Sequence, residues 1–107
     1  MKTLPVLLYA LSLTILSPTP SLPLEKPKVH TVEIKAMKFI PAVIKVRKGD
    51  TVIWVNRDLV AHDATEKNNA WTTGIIGTGK SGKTVISKSA DYYCSIHKVM
   101  KGKIVVE

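Results

Sequence analysis

Asp91 to Lys103 reads D-Y-Y-C-S-I-H-K-V-M-K-G-K. This stretch holds the only cysteine of the chain, Cys94, followed three residues later by His97 and three after that by Met100. A thiolate, an imidazole and a thioether on one short loop form a soft donor set, which favours copper over zinc, magnesium or calcium. A trigonal site of two histidines and one cysteine, with a weak axial methionine, needs a second imidazole from elsewhere in the chain. His62, in V-A-H-D-A-T, is the candidate.

The flanks of this loop read as strands. Tyr92 to Cys94 delivers the loop and Lys103 to Glu107 (K-I-V-V-E) closes a sheet, so the site is expected between two strand ends. Thr51 to Asn56 (T-V-I-W-V-N) is the most strongly β-forming run, with Trp54 read as core. From His30 the pattern has period two: Val32, Ile34 and Ala36 face one way, Thr31, Glu33 and Lys35 the other. Met37 is read as a core filler, the usual use of methionine. Val43 to Val46 gives another strand, and R-K-G-D from Arg47 to Asp50 is a turn. Trp71 to Ile76 reads as an edge strand or irregular arm, Gly77 to Lys83 as a turn and Thr84 to Ser87 as a strand. About seven short strands with no helix imply an all-β, single-domain β-sandwich with Greek-key connections.

Y-Y-C-S-I-H-K-V-M-K-G-K-I-V-V-E, taken with G-D-T-V-I-W-V-N and the lone His62 in the loop after it, resembles the small blue copper proteins, the cupredoxins. The C-x2-H-x2-M spacing is similar to the short ligand loop of the amicyanin-like branch, whereas plastocyanins carry a longer gap before the methionine. The resemblance covers roughly Val29 to Glu107. It implies a cupredoxin-like fold and one copper ion, Cu(I)/Cu(II), held by His62, Cys94, His97 and Met100 for single-electron carriage. Two positions depart from the pattern: Asp63 stands where an asparagine usually follows the first histidine, and Ile96 where a proline precedes the second. Asp63 either holds the loop by hydrogen bonding, as that asparagine does, or adds negative charge that lowers the potential. The resemblance also implies that His97 presents its ring edge at the surface within an apolar patch. Leu59, Val60, Ile96 and Val99 are the candidates for that patch, ringed by Lys98, Lys101 and Lys103. Such a surface suits brief docking of a monomer on an acidic redox partner.

The totals exclude several classes. A chain of 107 residues, 45% hydrophobic, suits one domain, and a single cysteine cannot form an internal disulfide. The net charge of +8, from 16 Lys and Arg against 8 Asp and Glu, favours acidic partners. The basic residues are scattered through strands and turns, without the clustered stripe or aromatic platform of a nucleic-acid binder. Gly77 to Thr84 (G-T-G-K-S-G-K-T) fits the phosphate-loop string letter by letter, but the following residues are strand-like and the strand-loop-helix context is missing. A Cys-His hydrolase has no use for Met100, and after the copper site is filled only His30 remains, too few for a multicopper oxidase. No acid, base or nucleophile arrangement for a small-molecule substrate is visible, so no enzyme is expected. A zinc site of His62, His97, Cys94 and a carboxylate such as Asp63 is disfavoured by Met100. The alternative to electron carriage is a protein that buffers or delivers copper, disfavoured by the lack of a C-x-x-C or a methionine-rich tract.

Residues 1–21 combine Lys2, an apolar run too short to cross a bilayer and a Ser/Pro tail, which reads as an export signal. Cleavage is expected between Ser17 and Leu24, leaving a charge of +7 (15 Lys and Arg against 8 Asp and Glu). Residues 22–28, with Pro23 and Pro27, form a short extended leader, and 29–107 the copper-binding domain. The expected location is the periplasm or another extracytoplasmic compartment, membrane-tethered if the N-terminal segment is retained.

Overall fold

The computed structural model describes residues 2–5, 10–17 and 25–107. Most of the expected cleavage region, the first three residues of the leader and part of the apolar signal run lie outside the described residues. Among the described residues there is no helix, and none therefore long and apolar enough to cross a membrane.

Eight strands follow in order: β1 (Val29–Lys35), β2 (Lys38–Ile40), β3 (Val43–Val46), β4 (Thr51–Asn56), β5 (Thr65–Glu66), β6 (Ser81–Val85), β7 (Ala90–Tyr93) and β8 (Lys101–Val106). They form two four-stranded sheets, β2-β1-β4-β6 and β3-β8-β7-β5. β1 lies parallel to β4 and β3 parallel to β8, while β1–β2, β4–β6, β5–β7 and β7–β8 are antiparallel. The two sheets close on one core, so the all-β sandwich read from the sequence is the fold. Period-two alternation builds that core from both inner faces: Val32 and Ile34 on β1, Val52 and Trp54 on β4, Tyr92 on β7 and Ile104 on β8 are all buried. Trp54 and Tyr92 meet edge to face across the sheets, ring centroids 5.4 Å apart, and Phe39 lies 4.7 Å from Tyr92 on its other flank.

Several boundaries differ from the sequence reading, each for a local reason. Ala36 does not continue the buried face of β1. It and Met37 form the two-residue turn of the β1–β2 hairpin, both at positive φ (52° and 59°), with Lys35 paired to Lys38. Such a turn matches the twist of the flanking strands but usually uses Asn-Gly, so neither residue announces it. Met37 is therefore 39% exposed rather than core, and Phe39 takes the interior position. β6 begins at Ser81, inside the expected turn, because Gly82 must lie close to the Thr73–Ile76 arm: a Cβ there would stand 2.8 Å from Thr73 Cβ. The phosphate-loop string thus ends in a strand, and the helix that motif needs is absent from it. Trp71 to Ile76 is an irregular arm, tied by isolated bridges from Ile76 to His62 and from Thr72 to Thr65.

Candidate metal centre

His62 and the other candidate ligands reach the site from different sheets. β4 ends at Asn56, whose buried side-chain amide donates to the carbonyls of Val60 (2.8 Å) and Ile76 (2.9 Å) while its Oδ1 accepts the Asp58 N–H (2.9 Å). These bonds fold residues 57–61 back over the end of the sheet. His62 then exchanges two backbone hydrogen bonds with Ile76 (3.2 and 2.7 Å) and points inward, fully buried. A buried imidazole needs partners for both ring nitrogens. Asp58 Oδ2 takes Nε2 at 2.8 Å, which leaves the Nδ1 lone pair free to face the site.

Asp58 carries a second duty. Its two oxygens also accept the Ala36 N–H (2.6 Å) and the Met37 N–H (3.0 Å), the two amides of the left-handed hairpin turn. Burial opposes its charge, but the Met37 N–H, the His62 ring and the Ala36 N–H outweigh that and hold its carboxyl below the ordinary carboxylate value.

The remaining donors sit on the seven-residue loop from Cys94 to Met100, between β7 and β8. The Cys94 N–H donates to the Met100 carbonyl (3.1 Å) and the Met100 N–H to the His97 carbonyl (3.0 Å), so the loop closes on itself. Cys94 and Met100 are buried and His97 is half-buried. Asp63 ties this loop to the His62 loop: its Oδ1 accepts the Ser95 N–H (2.7 Å) and the Thr65 hydroxyl (3.1 Å), and its Oδ2 accepts the Ser95 hydroxyl. Its own N–H points at Cys94 Sγ, 3.4 Å away. A carboxylate engaged in this way is not a metal donor, and the donor cluster comprises His62, Cys94 and His97 without it. That removes the carboxylate on which the zinc alternative relied.

The donor spacings fit an ion. Cys94 Sγ lies 3.8 Å from His62 Nδ1 and 4.0 Å from His97 Nδ1, and the two Nδ1 atoms are 3.2 Å apart. With metal–imidazole bonds of ~2.0–2.1 Å and a metal–thiolate bond of ~2.3 Å, a trigonal plane spaces its donors about 3.5 to 3.8 Å apart. The donor set is soft, and Met100 closes the buried side of the loop that carries Cys94 and His97.

Fold and site together define a copper-binding cupredoxin. Residues 27–107 match the family of copper binding proteins described as the plastocyanin/azurin family, and the chain belongs to it. Within that family it is similar to the amicyanins of Paracoccus versutus and Paracoccus denitrificans, each 31% identical over 88 residues. Those matches span 71% of this chain and 63% of each relative, under two thirds of the relatives' length. Amicyanin-alpha of Methylorubrum extorquens is 30% identical over 83 residues, spanning 71% of this chain and 70% of its own. A solved Cu(I) amicyanin variant superposes with a TM-score of 0.68 at 26% identity, covering 74% of this chain and 82% of that one. The Cu-containing nitrite reductase of Thermus scotoductus SA-01 does so with 0.68 at 30% identity, covering 78% of this chain but only 23% of that much longer one. The copper site is formed by His62, Cys94, His97 and Met100, as in amicyanin.

Leu59 (94% exposed), Val60, Ile96 and Val99 (84%) are all solvent-facing apolar residues, and Lys98, Lys101 and Lys103 are exposed. The sequence reading missed Asp58 and Asn56. An acidic residue four positions before a candidate ligand was the available signal for Asp58. Asn56 gave none, because its role depends on where Ile76 lies in the fold.

Proposed function

We propose that this protein is a type 1 copper single-electron carrier, a monomer working between redox proteins outside the cytoplasm, and not an enzyme. The observation that carries the reading is the fixed, buried donor set. His62 is held from behind by Asp58, and Cys94 is held beside it by the Asp63 and Ser95 contacts. When bound, copper supplies the one-electron couple. The residues supply the rest. Asp58 keeps His62 in one tautomer and one orientation, so the ring need not turn when the charge at the site changes. The Asp63 N–H faces the Cys94 sulfur and fixes its position beside His62. Burial of Cys94, His62 and Met100 excludes water, while half-buried His97 offers the exposed edge through which an electron enters and leaves.

Leu59, Val60, Ile96 and Val99 make the apolar docking area, and Lys98, Lys101 and Lys103 draw an acidic partner to it. Exposed Ile75, next to the Ile76 that brackets His62, extends that apolar area. Residues 1–21 direct export, and the segment is either removed or kept as a tether.

The test is a visible spectrum and a voltammogram of the protein with one equivalent of Cu(II), with Cys94→Ser as control. An intense blue thiolate-to-copper band lost in the variant, with a reversible couple and fast self-exchange, is the expected result. A weak band, or ready loss of copper to a chelator or partner, overturns electron carriage in favour of buffering or delivery.

A further inference from the structure

The outer face of the β2-β1-β4-β6 sheet departs from the usual pattern, in which the solvent side of a sheet is polar. Strand register sets Val29, Thr51 and Val85 in one row across β1, β4 and β6, and Thr31, Ile53 and Lys83 in the next. A third row, Ile40, Glu33, Val55 and Ser81, reaches β2, and Lys35 and Lys38 close the face at the hairpin. The alternate residues Val32, Ile34, Phe39, Val52 and Trp54 fill the core. Val29 and Val85 are 63% and 65% exposed, Ile40 is exposed, and Ile53 and Val55 are half-buried between their neighbours. β4 is thus apolar on both sides, although only one side meets the core.

The charges around these aliphatic side chains are of one sign. Among the described residues Glu33 is the one acid on this face, and Arg57 pairs with it at 3.5 Å. No ion pair among the described residues engages Lys35, Lys38 or Lys83. Methyl groups ringed by ammonium groups match an anionic bilayer, because lysine stems lie along apolar surface while their heads reach lipid phosphates. Two copies set face to face would oppose these lysines with one already paired carboxylate per copy to offset them, which disfavours self-association. The chain also enters the domain at this face. Residues 17–28 separate the apolar run ending at Leu16 from Val29, a reach of at most about 43 Å, so membrane contact by that run brings this face to the lipid.

We propose that the outer face of the β2-β1-β4-β6 sheet docks on an anionic lipid bilayer. Val29, Ile40 and Val85 dip among the headgroups, and Lys35, Lys38 and Lys83 pair with phosphates. His97 hangs between β7 and β8 of the other sheet and stays open to a partner. The proposal stands apart from the copper chemistry, and its failure leaves the electron-carrier reading untouched.

The test uses the full chain loaded with Cu(I) and bicelles of phosphatidylcholine with about one-third phosphatidylglycerol, a nitroxide lipid marking the headgroups. Amide broadening centred on Val29, Thr31, Lys83 and Val85 is expected. Co-sedimentation with vesicles of the same lipids then compares variants, in all of which the N-terminal apolar run contributes equally. Each lysine at an anionic surface is worth roughly fivefold in partitioning at low salt, so K35Q/K83Q should bind about 25-fold more weakly. K45Q/K80Q removes the same charge elsewhere and should cost under about threefold, and the gap between the two should shrink as salt rises. V29S/V85S should weaken binding roughly tenfold. Equal losses in the two lysine variants would reduce the effect to net charge and overturn the proposal. So would broadening centred on the Cys94–Met100 loop or confined to the N-terminal run. Shifts of the face amides that follow protein concentration without lipid would make a second copy the occupant, which also overturns it. The broadening map needs no variant, so a substitution that disturbs the fold does not remove the test.

Discussion

Replacing Asp58 by Asn separates what the carboxylate charge does at the metal from what the fold does. Asp58 Oδ2 lies 2.8 Å from His62 Nε2, and adding the imidazole ring and one metal–ligand bond puts the charge roughly 7 Å from the ion. At that distance a unit charge interacts with about 2.4 kcal/mol at an effective dielectric constant of ~20, or about 1.2 kcal/mol at ~40. For a one-electron couple, at ~59 mV per factor of ten, this is a shift of about 50–100 mV. The sign follows from charge: the carboxylate favours Cu(II) over Cu(I), so Asp58→Asn raises the potential. Loss of the anchoring partner should also weaken Cu(II) binding about 10- to 100-fold. Voltammetry and chelator competition measure the two effects. Asp50→Asn is the control, since it removes the same charge at the other end of β4, six residues and about 20 Å away, where the shift should stay under about 10 mV. Equal shifts in the two variants, or an unmoved potential and affinity in Asp58→Asn, would refute the argument that Asp58 acts through His62.

Asp63→Ala removes the acceptor of the Ser95 N–H, the Ser95 hydroxyl and the Thr65 hydroxyl. A lowered urea midpoint is expected, worth about 1.5–3 kcal/mol for a charged hydrogen-bond acceptor, together with an altered Cu(II) spectrum; Asp63→Asn should keep most of both, and an unchanged Asp63→Ala would show that the bridge contributes nothing. Gly102→Ala places a Cβ on the Tyr92 ring, against Cζ, Cε1 and the hydroxyl. The overpacking should lower stability by about 1–3 kcal/mol, relieved by Tyr92→Leu, and a thermal midpoint unaffected by Gly102→Ala would contradict the close approach. Asp50 is held at about 2, against an ordinary 3.8, by the Lys28 N–H, the Arg47 N–H and the His30 ring. A depressed carboxylate stabilises the fold fully above the unfolded value and loses that contribution as pH falls from 3.8 towards 2. Acid titration of stability should therefore show a slope in that window that is absent from Asp50→Asn; matching slopes would remove Asp50 as its source.

The sandwich was legible wherever local pattern and final environment agree. Thr51–Asn56 and Val43–Val46 were read to the residue, because β-branched runs bounded by turn residues leave little choice. The four ligands were legible because C-x2-H-x2-M puts three donors within one loop, which few other roles explain. What stayed hidden depends on pairs distant in sequence. The hairpin turn at Ala36 and Met37 has no glycine or asparagine because Asp58, more than twenty residues later, accepts both of its amides. Met37 was placed in the core because methionine usually is, but a two-residue turn overrides that preference. β6 starts early because Gly82 lies beneath the 73–76 arm, a contact that no window of sequence contains.

These distant pairs also explain how the site keeps its dimensions. His62 descends from β4 in one sheet, while Cys94, His97 and Met100 hang between β7 and β8 in the other. The spacing between the His62 and Cys94 donors is thus a distance between sheets, set first by the packing of Trp54 on Tyr92 and then trimmed locally. Asp63 does the trimming across the gap through Ser95 and Cys94 Sγ, and Asp58 does it behind His62 by tying the ligand to the β1–β2 hairpin. The two aspartates hold the ring and the loop against opposite sides of the same space. A metal entering that space finds donors already at bonding separation, so a change of oxidation state is met by a frame that five strands and two carboxylates keep in place.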